Sequence, residues 1–160
     1  MKKTVFVWVC LLMAVQTWAD DGRSFYNKYS EEKDVNAVYI SPMMFRLLGA
    51  IPSVELKDEQ LNLTPVIRSL TGFYLINSTN AEVNCRLAAD MEKLVGKGRF
   101  ELLMEARDDG ETVKFYALSA DDDIQSLVMS VSEASETTLI FMDGHLNRKD
   151  LETLLAGSME

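Results

Sequence analysis

Phe100-Glu101-Leu102-Leu103-Met104-Glu105-Ala106-Arg107-Asp108-Asp109-Gly110-Glu111-Thr112-Val113-Lys114-Phe115-Tyr116-Ala117-Leu118 is the stretch whose reading decides the fold. Asp109-Gly110 supplies the positive φ values that a tight two-residue hairpin turn demands, with an apolar run on either side. The turn fixes the register. Counting outward, Ala106 faces Val113, Met104 faces Phe115 and Leu102 faces Ala117, while the other side pairs Glu105 with Lys114 and Leu103 with Tyr116. The first side is expected in the core and the second to be the wetter one. Glu105 opposite Lys114 then forms a cross-strand ion pair worth well under about 1 kcal/mol.

C-terminal to this hairpin, Leu127, Met129 and Val131 alternate along one strand, Glu133 to Glu136 make a turn, and Leu139-Ile140-Phe141-Met142 return as a more fully apolar strand. After Gly144, Asn147 can cap a closing helix, with Asp150 at its third position and Leu151, Leu154 and Leu155 facing inward. N-terminal to the hairpin, Thr79 and Glu82 form a capping box for a helix running through Val83, Leu87, Ala88, Met91, Leu94 and Val95 to Gly96. On that helix Cys85 lies about 130° from the centre of the apolar face and belongs at the periphery.

Further upstream, Phe73 to Asn77 reads as a strand and Val66 to Leu70 as a short helix opened by Thr64-Pro65. Ile51 to Leu63 has no clean period and reads as a surface connection. Ser41-Pro42 starts another helix that Gly49 stops, and Val35 to Ile40 is a strand with little solvent on either face. Phe25 and Tyr29, four residues apart, give the polar segment 20–34 one helical stripe, as a short helix or docked tail. The sum is an α+β domain in two layers: a largely antiparallel sheet with helices packed on one face. No repeat and no internal linker divides residues 20–160, so they form a single domain.

Residues 1–19 stand outside that fold. Lys2 and Lys3 precede an apolar run from Val5 to Val15 without an acid, and Thr17 and Ala19 offer small side chains to a signal peptidase. The segment reads as a secretory signal cleaved after Ala19, and its apolar run is too short to span a bilayer. Cys10 follows Val7, Trp8 and Val9 rather than the small residue a lipobox needs, which disfavours lipoprotein anchoring. The whole chain has 16 basic and 25 acidic residues, a formal charge of −9. Loss of Lys2 and Lys3 leaves 16 − 2 = 14 basic residues and a charge of 14 − 25 = −11. A surface of that sign repels phosphate backbones and anionic headgroups, so nucleic acid is excluded as a partner. At 48% apolar and 26% charged residues the chain suits one globular core. Only Cys85 remains after cleavage, so no internal disulfide is available and the apolar core must hold the fold.

Residues able to carry chemistry are few. Asp121-Asp122-Asp123, and Asp108-Asp109 with Glu111, lack the alternating ligands and sharp-turn glycine of a calcium loop and read as solvated connections. His145, the single histidine, lies in a loop by this reading, without a nucleophile elbow, a zinc-binding helix motif or a phosphate loop near it. No catalytic residue, metal ligand or cofactor is therefore assigned. Met43, Met44, Met91, Met104, Met129 and Met142 read first as core filler. Met43-Met44 beside Phe45 also suits an adaptable groove, and Leu103, Tyr116 and Leu118 suit a contact surface on the sheet. Tyr39, Tyr74 and Tyr116 read as ordinary half-buried tyrosines.

The strand followed by Ser41-Pro42-Met43-Met44-Phe45, the capped helix, Phe100 to Asp108 with Val113-Lys114-Phe115-Tyr116, and Leu139-Ile140-Phe141-Met142-Asp143-Gly144 together resemble the exported Bacteroidetes family of domain of unknown function 4252. The likeness runs over about residues 24–156 and rests on core and turn patterns. It implies an envelope protein encoded near extracytoplasmic stress or sigma-factor systems, with many lipoproteins among its relatives, and it carries over no catalytic residues. The expected function is an exported, periplasmic or secreted, non-catalytic envelope interaction or regulatory module whose partner is an envelope protein. A small-ligand binder for a glycan, peptide or lipid is the alternative. A hydrolase using acids around His145 or Cys85 ranks third.

Overall fold

The Asp109-Gly110 turn forms with φ of 39° and 90°, and from it the chain runs back along β3 (Phe100–Asp108) and forward along β4 (Glu111–Ala120). The computed structural model describes residues 21–49, 68–120 and 123–147. Ahead of the hairpin come α1 (Asp21–Tyr29), β1 (Val35–Ile40), α2 (Pro42–Gly49), β2 (Leu70–Ser78) and α3 (Ala81–Gly96); β5 (Asp123–Ser132) and β6 (Thr137–Asn147) follow it. Among the described residues the strands make one six-stranded sheet in the order β1-β2-β6-β5-β4-β3, and every neighbouring pair is antiparallel. That is the two-layer α+β arrangement the sequence predicts. No helix of the described residues is long and apolar enough to cross a membrane.

The hairpin register holds from the turn to Met104 opposite Phe115, and then a bulge at Leu103 shifts it. Leu102 consequently faces Tyr116 rather than Ala117, and Leu103 faces no residue of β4. The expectation about faces is also corrected. α1 and α3 cover the side that carries Tyr116 and Leu118, because this side continues the bulky row Tyr39, Tyr74, Phe141, Val128, Tyr116 across five strands. Phe25 and Tyr29 of α1, with Val83, Leu87, Met91 and Leu94 of α3, close over that row. The Phe25 ring lies 5.0 Å from that of Phe141, and Tyr39 stacks on Tyr74 at the same separation.

Other boundaries move for local reasons. The N-cap of α3 is Asn80, not Thr79; its side-chain oxygen accepts from the backbone N–H of Glu82 at 3.0 Å and of Val83 at 3.3 Å. At α2 the Ser41 hydroxyl accepts from the Met44 N–H at 3.3 Å, the start signal the sequence carries. β2 begins at Leu70, three residues before its expected start, because Leu70 and Gly72 pair with Gly144 and Asp143 around a bulge. β6 runs on through His145 to Asn147, so His145 is a strand residue and Asn147 ends a strand. The leader, the 51–63 connection, the start of the 66–70 helix and the closing helix beyond Asn147 lie outside the described residues.

α1 is held to α3 by charge as well as by rings. The Tyr29 hydroxyl donates to Asp90 Oδ2 at 2.7 Å, Lys28 donates to the same oxygen, and Arg86 reaches Glu32 at 2.8 Å while its guanidinium lies over the Tyr29 ring. Burial pushes the Asp90 pKa up, but the hydrogen bonds from Lys28 and Tyr29 outweigh it and hold the carboxyl below its ordinary value. A depressed folded pKa contributes stability that is fully present above the unfolded carboxylate pKa of about 3.9 and is lost as pH falls through the folded value. Asp90→Asn is therefore expected to lower stability by about 1–2 kcal/mol near pH 7. Urea melts of both proteins from pH 7 down to 2 check this; the gap should narrow below about pH 4, and a gap independent of pH refutes the assignment.

Candidate functional site

The helix-covered face of the sheet changes chemistry halfway across. Ala37, Ile76 and Leu139 form one row on β1, β2 and β6, and the same row continues on β5, β4 and β3 as Ser130, Lys114 and Glu105. The neighbouring row passes from Ser78 and Thr137 to Ser132, Thr112 and Arg107. A helix cannot pack tightly on hydroxyls and an ammonium without stripping them of water. α3 accordingly leaves a cleft of about 360 Å³ here, walled by Ala88, Met91, Glu92 and Val95 and floored by Arg107, Thr112, Lys114, Tyr116, Ser130 and Ser132.

Charges in the cleft are arranged unevenly. Lys114 stands opposite Glu105 in register, as the sequence predicts, but the expected ion pair does not form. Glu105 is taken by Arg107 two residues along its own strand, through Nε at 2.7 Å and Nη2 at 2.5 Å. That hydrogen bond, with the fields of Arg107 and Lys114, holds the Glu105 pKa below its ordinary value. Among the described residues Lys114, half-buried, has no carboxylate within ion-pair distance. Burial, with Glu105 and Glu92 adding, pushes the Tyr116 pKa up, so its hydroxyl remains a donor at neutral pH.

The residues singled out in the sequence do not share one surface. Tyr116 lies in the cleft floor, Leu118 packs against the main core, and Leu103, 54% exposed, sits at the bulge of the edge strand. Met43 and Met44 are exposed on α2, which follows β1 at the opposite edge. Six strands at about 4.8 Å put the two edges about 24 Å apart. Met43, Met44 and Met104 are thus not core filler, whereas Met91 is buried in the core. Cys85 is an exposed free thiol on α3. His145 is exposed beside an open hollow lined by Thr71, Gln125 and Gly144, with no acid or thiol among the described lining residues. Among the described residues no three His, Cys, Asp or Glu side chains converge as metal ligands.

On the opposite face of the sheet one row is apolar across all six strands. Val38, Leu75, Ile140, Met129, Phe115 and Met104 form a row with one residue from each strand. Its ends are open, Val38 being 45% and Met104 48% exposed, and the four between them are half-buried and lie outside the helix-covered core. Of this row, the alternation in the sequence places Met104 and Phe115 on the core side of the hairpin, and the structure puts them on the face away from α1 and α3. Lys114, Thr112, Ser130 and Ser132 were legible only as polar residues falling at the alternate positions that face α3.

No curated protein and no solved structure matches the chain. A family model does match, over residues 29–154, which takes in every strand of the sheet and α3 between its flanking strands. The chain belongs to that family, described as a domain of unknown function, DUF4252.

Proposed function

We propose that this chain is an exported, non-catalytic interaction or regulatory module of the cell envelope, periplasmic or secreted, that grips a partner protein through the sheet face opposite α1 and α3. The observation that carries the reading is the six-strand apolar row with open ends at Val38 and Met104. Lys2 and Lys3 ahead of an apolar run support export. The formal charge of −9 favours a partner whose apolar contact patch has a basic surround.

The test uses the full-length chain, tagged and produced in an exporting host, with cross-linking in the intact envelope. Val38→Glu with Met104→Glu places two charges on the contact face at positions already in water. It is expected to reduce partner retention at least about tenfold while the melting temperature moves by only a few degrees. Retention unchanged by the double substitution overturns the reading. Turnover of an ester, phosphoester or glycoside by the purified protein overturns it as well.

The cleft beneath α3 favours a second reading, a binding protein for a small ligand such as a glycan, peptide or lipid, because a polar floor and an apolar wall there face one space.

A further inference from the structure

The geometry points to a specific ligand chemistry for the cleft: a small carboxylate with an apolar body, its anionic head on Lys114 and Tyr116 and its body along Met91 and Val95 of α3. This inference rests on the second reading above and is independent of the partner surface on the other side of the sheet.

Four observations converge. Lys114 is half-buried, and Glu105, its neighbour in register, is committed to Arg107 by two hydrogen bonds. Lys114 still feels the field of Glu105, but no carboxylate meets its ammonium at ion-pair distance among the described residues, which leaves its N–H groups to an anion. Tyr116, next along the same face of β4, presents a hydroxyl that stays protonated. Thr112 and Ser130 flank Lys114 on the same floor, and none of these hydroxyls has a hydrogen-bond partner among the described residues. The Lys114 ammonium only donates, and each hydroxyl can turn its proton toward a head group, so a carboxylate can accept there through both oxygens.

The wall across from these donors is different. Met91, buried, and Val95, half-buried, line the cleft from α3, so a hydrocarbon body there meets thioether and aliphatic surface. Among the described residues the acid that lines the cleft is Glu92, exposed on α3, where water screens it. A phosphate or sulfate would satisfy the donors but leave the apolar wall unused, and a neutral sugar would leave Lys114 uncompensated.

The experiment is a ¹H–¹⁵N NMR titration of the full-length protein with octanoate below its micellar concentration, and with octanamide as the neutral isostere. Octanoate is expected to shift the amides of Lys114, Tyr116, Ser130 and Val95 saturably, and octanamide to bind about tenfold more weakly. Lys114→Met, which keeps the side-chain length, should weaken octanoate about tenfold; Lys114→Arg should restore most of it. Glu92→Gln should tighten binding about twofold, as expected for removing a screened like charge. The spectra themselves show whether each variant is folded. Equal binding of octanoate and octanamide at these residues overturns the carboxylate assignment while keeping the cleft as a ligand site. Weaker octanoate binding in Glu92→Gln overturns the placement of the anionic head in this cleft, since removal of a like charge cannot weaken an anion held there by charge. Absence of shifts at the cleft with either compound overturns both the inference and the ligand reading.

Discussion

Phe141→Ala is expected to destabilise the protein by roughly 3–5 kcal/mol, the largest loss of any single truncation in the helix-covered core. Phe141 is fully buried on β6, between Tyr74 of β2 and Val128 of β5 in register, with the Phe25 ring of α1 at 5.0 Å above it. Truncation removes transfer energy of a whole ring and leaves a hole whose walls come from two strands and a helix. Those walls cannot all collapse into it, because the ladder hydrogen bonds hold β2 and β5 at fixed spacing. Urea unfolding should show a large fall in midpoint with an unchanged slope. A loss below about 1 kcal/mol shows that the helix layer does not seat on this row.

Gly22→Ala should come second, and its sign runs against helix propensity. Alanine in a helix interior is favoured over glycine by about 1 kcal/mol. At Gly22, however, a Cβ meets Tyr74 Cδ2 at 2.6 Å and Phe141 Cβ at 2.8 Å. Neither atom is the free end of a flexible chain: one belongs to a ring stacked on Tyr39, the other to the root of a buried side chain. Relief requires α1 to lift from the sheet, which disturbs the Phe25 and Tyr29 contacts together. Overpacking of this kind costs about 1–3 kcal/mol, so the net change is a loss. Thermal melts of Gly22→Ala beside Gly96→Ala separate the effects, since a Cβ at Gly96 meets nothing within 4 Å. Equal melting temperatures in the two variants refute the close approach of α1.

The parts of the fold legible in the sequence are those fixed by neighbours along the chain. Asp109-Gly110 announced its turn and set the pairing out to Met104 and Phe115; Ser41-Pro42 opened a helix; Val83, Leu87, Met91 and Leu94 marked the buried stripe of α3. The choice of face was not legible, because β4 is apolar on both sides: Val113, Phe115 and Ala117 on one, Tyr116 and Leu118 on the other. A period of two cannot choose between them. What decides is the match of Tyr116 to Val128, Phe141 and Tyr74 across strands remote in sequence. The bulge at Leu103 was hidden for a similar reason, since a single extra residue leaves no compositional trace. The cleft was hidden because Lys114 and its flanking hydroxyls resemble any solvated strand face until α3 is laid over them.

The position of β6 has a consequence for how the molecule comes into being. Among the described residues it is the last strand to leave the ribosome, yet it lies in the interior of the sheet, joining β2 to β5. Until Thr137 to Asn147 have been synthesised, β1 with β2 and the β3-β4-β5 meander are two ribbons with no strand between them. The nascent polypeptide therefore cannot commit to its final sheet topology before β6 has been made.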